Sequence, residues 1–222
     1  MMRRMRHPSS QGRPTAPLRL YGRRVVLRPL TPSDFAAWSE VRRRNEGWLL
    51  PWEPQRHPGH ADPARDRSAF AARCTARDRD RNADASYAFG MFVGERGERL
   101  AGEVNLNNVV RGAMQGATIG YWIDRELAGQ AYTAEAVAVV TRFAFEQLHL
   151  HRIEVCIVPR NENSRRVMDK LAFRCEGLAE RFLEIAGVWE DHLRYAMTVE
   201  EWNARRTELV RAWMHAPEPV DG

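Results

Sequence analysis

The chain has 222 residues, 44% of them hydrophobic and 28% charged, with 34 basic against 29 acidic side chains for a net charge of +5. That size and composition suit one domain with a full core and exclude a fibrous or low-complexity chain. No apolar run approaches membrane-spanning length, and the three cysteines (Cys74, Cys156 and Cys175) lack CxxC spacing, so neither a disulfide framework nor a metal site is expected.

Every basic residue except Lys170 is arginine, and Asp and Glu are interleaved with them, as in ARDRSAFAARCTARDRDRNAD. Such mixing reads as a solvated helix face, so direct nucleic-acid binding is not expected. Residues 1–18 are basic and rich in Pro, Ser and Gly, with no apolar core of a signal peptide. They read as a disordered arm, and the chain as cytoplasmic. The folded domain is expected over 19–203, with a helix end and tail over 204–222.

The first strand is predicted over 23–30. Thr31, Pro32 and Asp34 then form a capping-box start for a helix to about Arg44. WLLPWEP reads as an aromatic, Pro-punctuated loop, and Asp62-Pro63 opens a second helix to about Arg79. Strands follow over 86–94, 100–110 and 117–123, then a helix over 132–148, a strand over 152–158 and a helix over 162–171. A hairpin turning at AGVW and a final helix over EEWNARRTELVRAWM complete the chain. The order β-α-α-β-β-β-α-β-α-β-β-α predicts an α/β mixed sheet with helices on both faces.

Small residues crowd the entry to the third predicted helix, at Ala128-Gly129-Gln130-Ala131. A helix N-terminus leaves about four N–H groups unpaired and carries partial positive charge, so small side chains there let an anion approach. The alternative is a plain strand-to-helix turn in which Gly129 supplies positive φ.

The surrounding motifs decide between these. GYWI…GQAYTAEAV…FAFEQLHLHRIE, N-x-x-S-x-x-V-M-x-K-L-x-F, the EG pair and G-x-W-x-DH, in this order, resemble the GNAT family of acetyl-CoA-dependent N-acetyltransferases. They look like its RimJ/RimL branch, whose members acetylate N-terminal amines of ribosomal proteins; WLLPWEP and NNVVRG resemble the RimJ side. The resemblance covers about residues 20–202. It departs from the family pattern at Glu126, where the pyrophosphate loop usually starts with Gln or Arg, at Thr118, where many relatives carry Glu, and at Ala172 in KLAF.

The resemblance implies a GNAT fold and the following roles. The backbone of Trp122 and Ile123 pairs with the pantetheine arm of acetyl-CoA, and the amides of Gly129, Gln130, Ala131, Tyr132 and Thr133 hold its pyrophosphate. Asn161 and Ser164 match the family's N-x-x-S: Asn161 also suits a helix cap, and Ser164 either caps or serves the departing thiolate. Arg165 either reaches a CoA phosphate or faces solvent.

Within AGEVNLNN, Glu103, Asn105 and Asn107 share one strand face, lining either an acceptor cleft or water. Glu103 and Glu184 are the candidate carboxylates for relaying the amine's proton. Trp52 and Glu53 either close over the acceptor or pack away from it.

The expected reaction is direct transfer of acetyl to a primary amine, with a protein N-terminus, ribosomal or otherwise, as acceptor. No metal and no membrane partner are expected, and monomer and homodimer stay equally open. The competing readings are a small-molecule amine acceptor, which calls for a closed, acidic pocket, and a non-catalytic acetyl-CoA-binding module.

Overall fold

A computed structural model describes residues 18–57 and 59–214; the predicted arm over 1–17 and the tail over 215–222 lie outside the described residues. One sheet of eight strands runs β1 (Leu20–Tyr21), β2 (Val26–Arg28), β3 (Tyr87–Val93), β4 (Arg99–Val110), β5 (Gly116–Ile123), β6 (Arg152–Ile157), β8 (Val188–Thr198) and β7 (Arg174–Ile185) in spatial order. Every neighbouring pair is antiparallel except β5–β6. This is an α/β mixed sheet, as the element order predicted.

The strand predicted over 23–30 is shorter, Val26–Arg28, and pairs across a turn at 22–25 with a short strand that precedes it, Leu20–Tyr21. A Cβ on Gly22 would stand 2.6 Å from the Glu135 carboxylate, so only glycine lets this turn reach that buried side chain. Glu135 accepts from the Arg24 and Val25 amides and, at 2.9 Å, from the Arg24 side chain. These bonds tie the turn to the first turn of helix α4 (Tyr132–Glu146).

Helix α1 (Phe35–Arg44) is followed by a short α2 (Glu46–Leu49) and a 3₁₀ turn (Leu50–Trp52) where a loop was expected. Helix α3 starts at Arg67 rather than at the Asp62-Pro63 pair, because the Asp66 side chain caps the amides of Ser68 and Ala69. The β7–β8 turn is only Ala186-Gly187, with φ of 49° and 85°, so Val188 and Trp189 belong to β8.

Helix α4 is buried nearly all round, apart from Tyr132, Arg142 and Glu146, and its alanines let it lie close against the sheet. It carries the main core together with helix α6 (Val199–Trp213), whose Trp202 and Leu209 are buried along with Met214. The core therefore runs past residue 203. A second cluster of Leu30, Trp38, Phe70, Cys74, Phe92 and Leu100 packs α1 and α3 on the opposite face.

The site is made by a divergence. β5 and β6 pair only at Gly116–Arg152, Ala117–Ile153 and Thr118–Glu154. Beyond Thr118 β5 stays with β4, while β6 follows β8. The far half of β5 therefore has one bare edge, flanked by the starts of α4 and of α5 (Glu162–Leu171).

Candidate active site

The Asp124 amide donates to the Ala101 carbonyl at 2.7 Å. By antiparallel alternation the main-chain groups of Trp122 then face β4, and those of Tyr121 and Ile123 face the gap. The expected Trp122–Ile123 edge is thus a Tyr121–Ile123 edge, and the Ile123 carbonyl already accepts from the Trp48 indole at 3.3 Å. Trp122 stays close to both substrate spaces through its side chain. Its carbonyl lies so near Gly102 that a Cβ there would come within 2.1 Å.

A cavity of about 390 Å³ opens at this edge, between β5, the start of α4 and one face of α5. Gly129, Ala131, Tyr132 and Thr133 line it, as do Asn161 and Ser164. Gly129 has φ 81° and Ala131, the N-cap of α4, has φ 64°. The two left-handed residues turn the loop so that the amides of residues 129–134 donate to no acceptor among the described residues. A Cβ at Gly129 would meet nothing within 4 Å. Six unspent N–H groups at an open helix N-terminus fit a pyrophosphate.

Gln130 turns away from the cavity: its carbonyl accepts from Arg24 at 3.1 Å, and that guanidinium lies 4.7 Å from the centre of the Tyr132 ring. Arg24 is a cation beside the loop that sequence reading missed, since it comes from a turn more than a hundred residues away. Arg165 also faces away and donates to the Pro159 carbonyl at 3.2 Å. Arg166 and Lys170, four residues apart on one helix face, line the cavity in its place. Helical spacing from Asn163 to Val167 to Lys170 was the available signal.

Asn161 caps α5, its Oδ1 accepting from the Ser164 amide at 3.1 Å. The Ser164 carbonyl accepts from the Tyr121 hydroxyl at 3.3 Å. Burial pushes the Tyr121 pKa far up, so this phenol is a donor at any working pH. It lines both cavities, and sequence reading did not single it out.

A second cavity, about 720 Å³, lies across β5. Leu49, Glu53, Tyr121 and Trp122 line both spaces and form their common wall. Asn105 and Asn107 line the second, as expected for the polar face of β4. The Asn105 Oδ1 is buried and has no hydrogen-bond partner. Trp52 lines the first cavity, with the Arg160 guanidinium 4.8 Å from its ring centre. The Glu53 carboxylate accepts two hydrogen bonds of 2.6 Å from Arg42, and its carbonyl accepts from the Ala186 amide at 2.9 Å. The β7–β8 turn is thereby pinned to the loop that closes the second cavity.

The two expected proton-relay carboxylates are placed otherwise. Glu103 is fully buried and borders the second cavity, but its two oxygens accept from the Trp38 indole at 2.5 Å and from Arg73 at 2.6 Å. It is the counter-ion that holds α1 and α3 onto β4. Glu184 is exposed on β7 opposite Trp189 and lines neither cavity. Neither is a free base beside the shared wall. The thiols stand aside too: burial pushes Cys74 up to about 11 and also raises Cys156, and no cysteine lines either cavity. Among the described residues no cluster of His, Cys, Asp and Glu could hold a metal, and no helix is long and apolar enough to cross a membrane.

An anion cradle at the mouth of one cavity, a bare strand edge along it and a second cavity behind a shared wall are the layout of a transferase that joins a phosphate-bearing donor to a second substrate. Comparison with known proteins narrows the class. A sequence profile of the acetyltransferase (GNAT) domain matches residues 24–174. The probable N-acetyltransferase YjcK of Bacillus subtilis (strain 168) is 36% identical over 173 residues, 78% of this chain and 93% of that protein. The [ribosomal protein uS5]-alanine N-acetyltransferase of Escherichia coli (strain K12) is 31% identical over 189 residues, 85% of this chain and 95% of that one. Mycobacterium smegmatis RimJ, solved in complex with CoA-disulfide, superposes with a TM-score of 0.79 at 31% identity, over 90% of this chain and 96% of that one. The chain belongs to the GNAT acetyltransferase family: it is an N-acetyltransferase whose acyl donor is acetyl-CoA.

Proposed function

We propose that the acceptor is the N-terminal α-amine of a protein, a ribosomal protein by analogy with the uS5-alanine N-acetyltransferase. The observation that carries this reading is the wall of Leu49, Glu53, Tyr121 and Trp122 common to both cavities. An amine entering from the second cavity meets a thioester lying along β5 from the first. The unpartnered Asn105 Oδ1 suits an N–H of that amine, since a buried acceptor without a donor costs about 1–3 kcal/mol. The amine attacks the thioester carbon directly. The C–S bond breaks, the thiolate leaves toward Tyr121 or Ser164, and the amine's proton passes to solvent.

Only a neutral amine attacks. At pH 7 the neutral form costs about 1.0–1.4 kcal/mol for an α-amine and about 4.6 kcal/mol for lysine. With Glu103 committed to Arg73 and Trp38, and Glu53 to Arg42, the described residues of the site offer no free carboxylate to meet the larger demand. The small-molecule reading called for an acidic pocket. Here Glu46, Glu53, Asp62 and Glu103 in the second cavity are all paired with arginine, which is hostile to a polyamine or aminoglycoside. The test is turnover on a lysine-containing peptide with and without an acetyl-blocked N-terminus. Blocking should abolish acetylation, and robust turnover of the blocked peptide would show lysine to be the acceptor.

A further inference from the structure

The second cavity holds more positive charge than its own carboxylates balance. Glu53 pairs with Arg42 at 2.6 Å, Asp62 with Arg56 at 3.0 Å, Glu46 with Arg65 at 3.0 Å and Glu103 with Arg73 at 2.6 Å. Two further arginines line the same cavity, Arg43 and Arg77, and neither has a carboxylate within 4.0 Å among the described residues. Arg43 is exposed and can be satisfied by water. Arg77 is half-buried on α3, one turn beyond Arg73, and its guanidinium makes no hydrogen bond among the described residues. Burial, then the neighbouring Arg73, disfavour its charge by more than the fields of Glu103 and Asp80 favour it, yet a guanidinium stays protonated in a protein. A guanidinium that lines a cavity with no carboxylate in ion-pair contact is a place for the anion of a ligand.

Its position fixes where on the acceptor that anion belongs. Arg77 borders a small recess with Ala88 and Gly90 of β3, and β3 is two strands from β5. Two strand spacings are roughly 10 Å, or about three residues of extended peptide. We infer that Arg77 is a specificity-determining residue that binds an acidic side chain at about the third or fourth position of the acceptor polypeptide. This rests on the α-amine reading and adds to it a substrate class: proteins whose N-termini are acidic shortly after the reacting residue. Asp or Glu matches the guanidinium through paired charge-assisted hydrogen bonds. The same cavity rejects basic N-termini.

The experiment compares two peptides differing only in charge, Ala-Ala-Asp-Glu-Ala-Ala and Ala-Ala-Asn-Gln-Ala-Ala, on the full chain with acetyl-CoA. The acidic peptide should have a kcat/KM higher by about tenfold or more, mainly through KM, with the advantage shrinking as salt is raised. Arg77→Gln should bring the ratio of the two toward one. Arg77→Glu should turn the preference toward Ala-Ala-Lys-Lys-Ala-Ala, a gain that a misfolded variant cannot show, with CoA titration checking the fold of both. A wild-type ratio within about twofold, or a ratio that Arg77→Gln leaves in place, overturns the inference while leaving the α-amine reading intact. If neither peptide is acetylated but a small amine is, both fall together.

Discussion

The Tyr121 hydroxyl donates to the backbone carbonyl of Ser164 at 3.3 Å, bridging the gap where β5 has parted from β6. In the proposed reaction these two residues, one on the strand and one in the first turn of α5, are the hydroxyls nearest the leaving thiolate. Either hydroxyl could protonate the leaving thiolate. Burial keeps Tyr121 protonated, and the Ser164 hydroxyl itself makes no hydrogen bond among the described residues. Tyr121→Phe is expected to lower kcat by about 100-fold or more with little change in acetyl-CoA affinity, as for an acid acting in the transition state. Ser164→Ala is expected to lower kcat less, by about tenfold. If Tyr121→Phe moves only KM, the phenol orients the donor and does not protonate it.

The loop before α4 separates strain from function. Gly129→Val should weaken CoA binding severely: φ of 81° is hostile to a β-branched residue, and the side chain would fill the open space over the free amides. Ala131 sits at φ 64°, at a cost of about 1 kcal/mol relative to glycine. Ala131→Gly should therefore keep CoA affinity and leave stability unchanged or raised by up to that amount. Calorimetric titration and thermal unfolding of the two variants measure both effects, and unchanged affinity in a folded Gly129→Val would remove the loop from the binding site.

Rate on α-amino peptides should rise with pH and level off near the peptide's own amine pKa, about 7.7–8.0. Tyr121, raised well above this range, stays protonated and does not bend the profile. A second inflection near pH 6 that stays put when the peptide's amine pKa is changed would reveal an enzyme base that the geometry does not supply.

Asp124 joins the end of β5 to α1 and α2. It is fully buried and accepts from the Arg44 side chain and, at 2.8 Å, from Asn45 Nδ2. Burial opposes its charge, but these donors and the Glu126 amide outweigh it and hold the carboxyl below its ordinary range. Because the folded pKa is the lower one, this stabilisation is fully present above about pH 4 and is lost as pH falls through the folded value. Asp124→Asn should cost roughly 2–3 kcal/mol, less than the ~3–5 of a fully enclosed pair, because Arg44 is one-third exposed and can turn to water. The variant should also lose part of the wild type's acid-side loss of stability, measured as midpoint shifts between pH 7 and pH 3. An unchanged midpoint at pH 7 would show that the pair contributes nothing.

Local order was legible in the chain. Alternation in AGEVNLNN put Asn105 and Asn107 on one strand face, the capping box at Thr31 marked a helix start, and the small residues at 128–131 marked the α4 entry, because each depends on neighbours within a few positions. The motif order carried the family, and with it the cosubstrate. What only the tertiary structure decided depends on partners far apart in the chain. Glu103 reads as a free carboxylate on a polar strand face until α1 and α3 bring Trp38 and Arg73 to its two oxygens. Glu184 sits in a promising sequence context but is carried out of the site by the β7–β8 hairpin. Arg24 reaches the α4 loop across 106 positions, and Tyr121 takes its role only because β5 and β6 part beyond Thr118. Arg77 is one arginine among many in an alternating helix. Packing Glu103 against Arg73 leaves Arg77 with no carboxylate in ion-pair contact among the described residues, since a carboxylate spent on one guanidinium cannot fully neutralise the next.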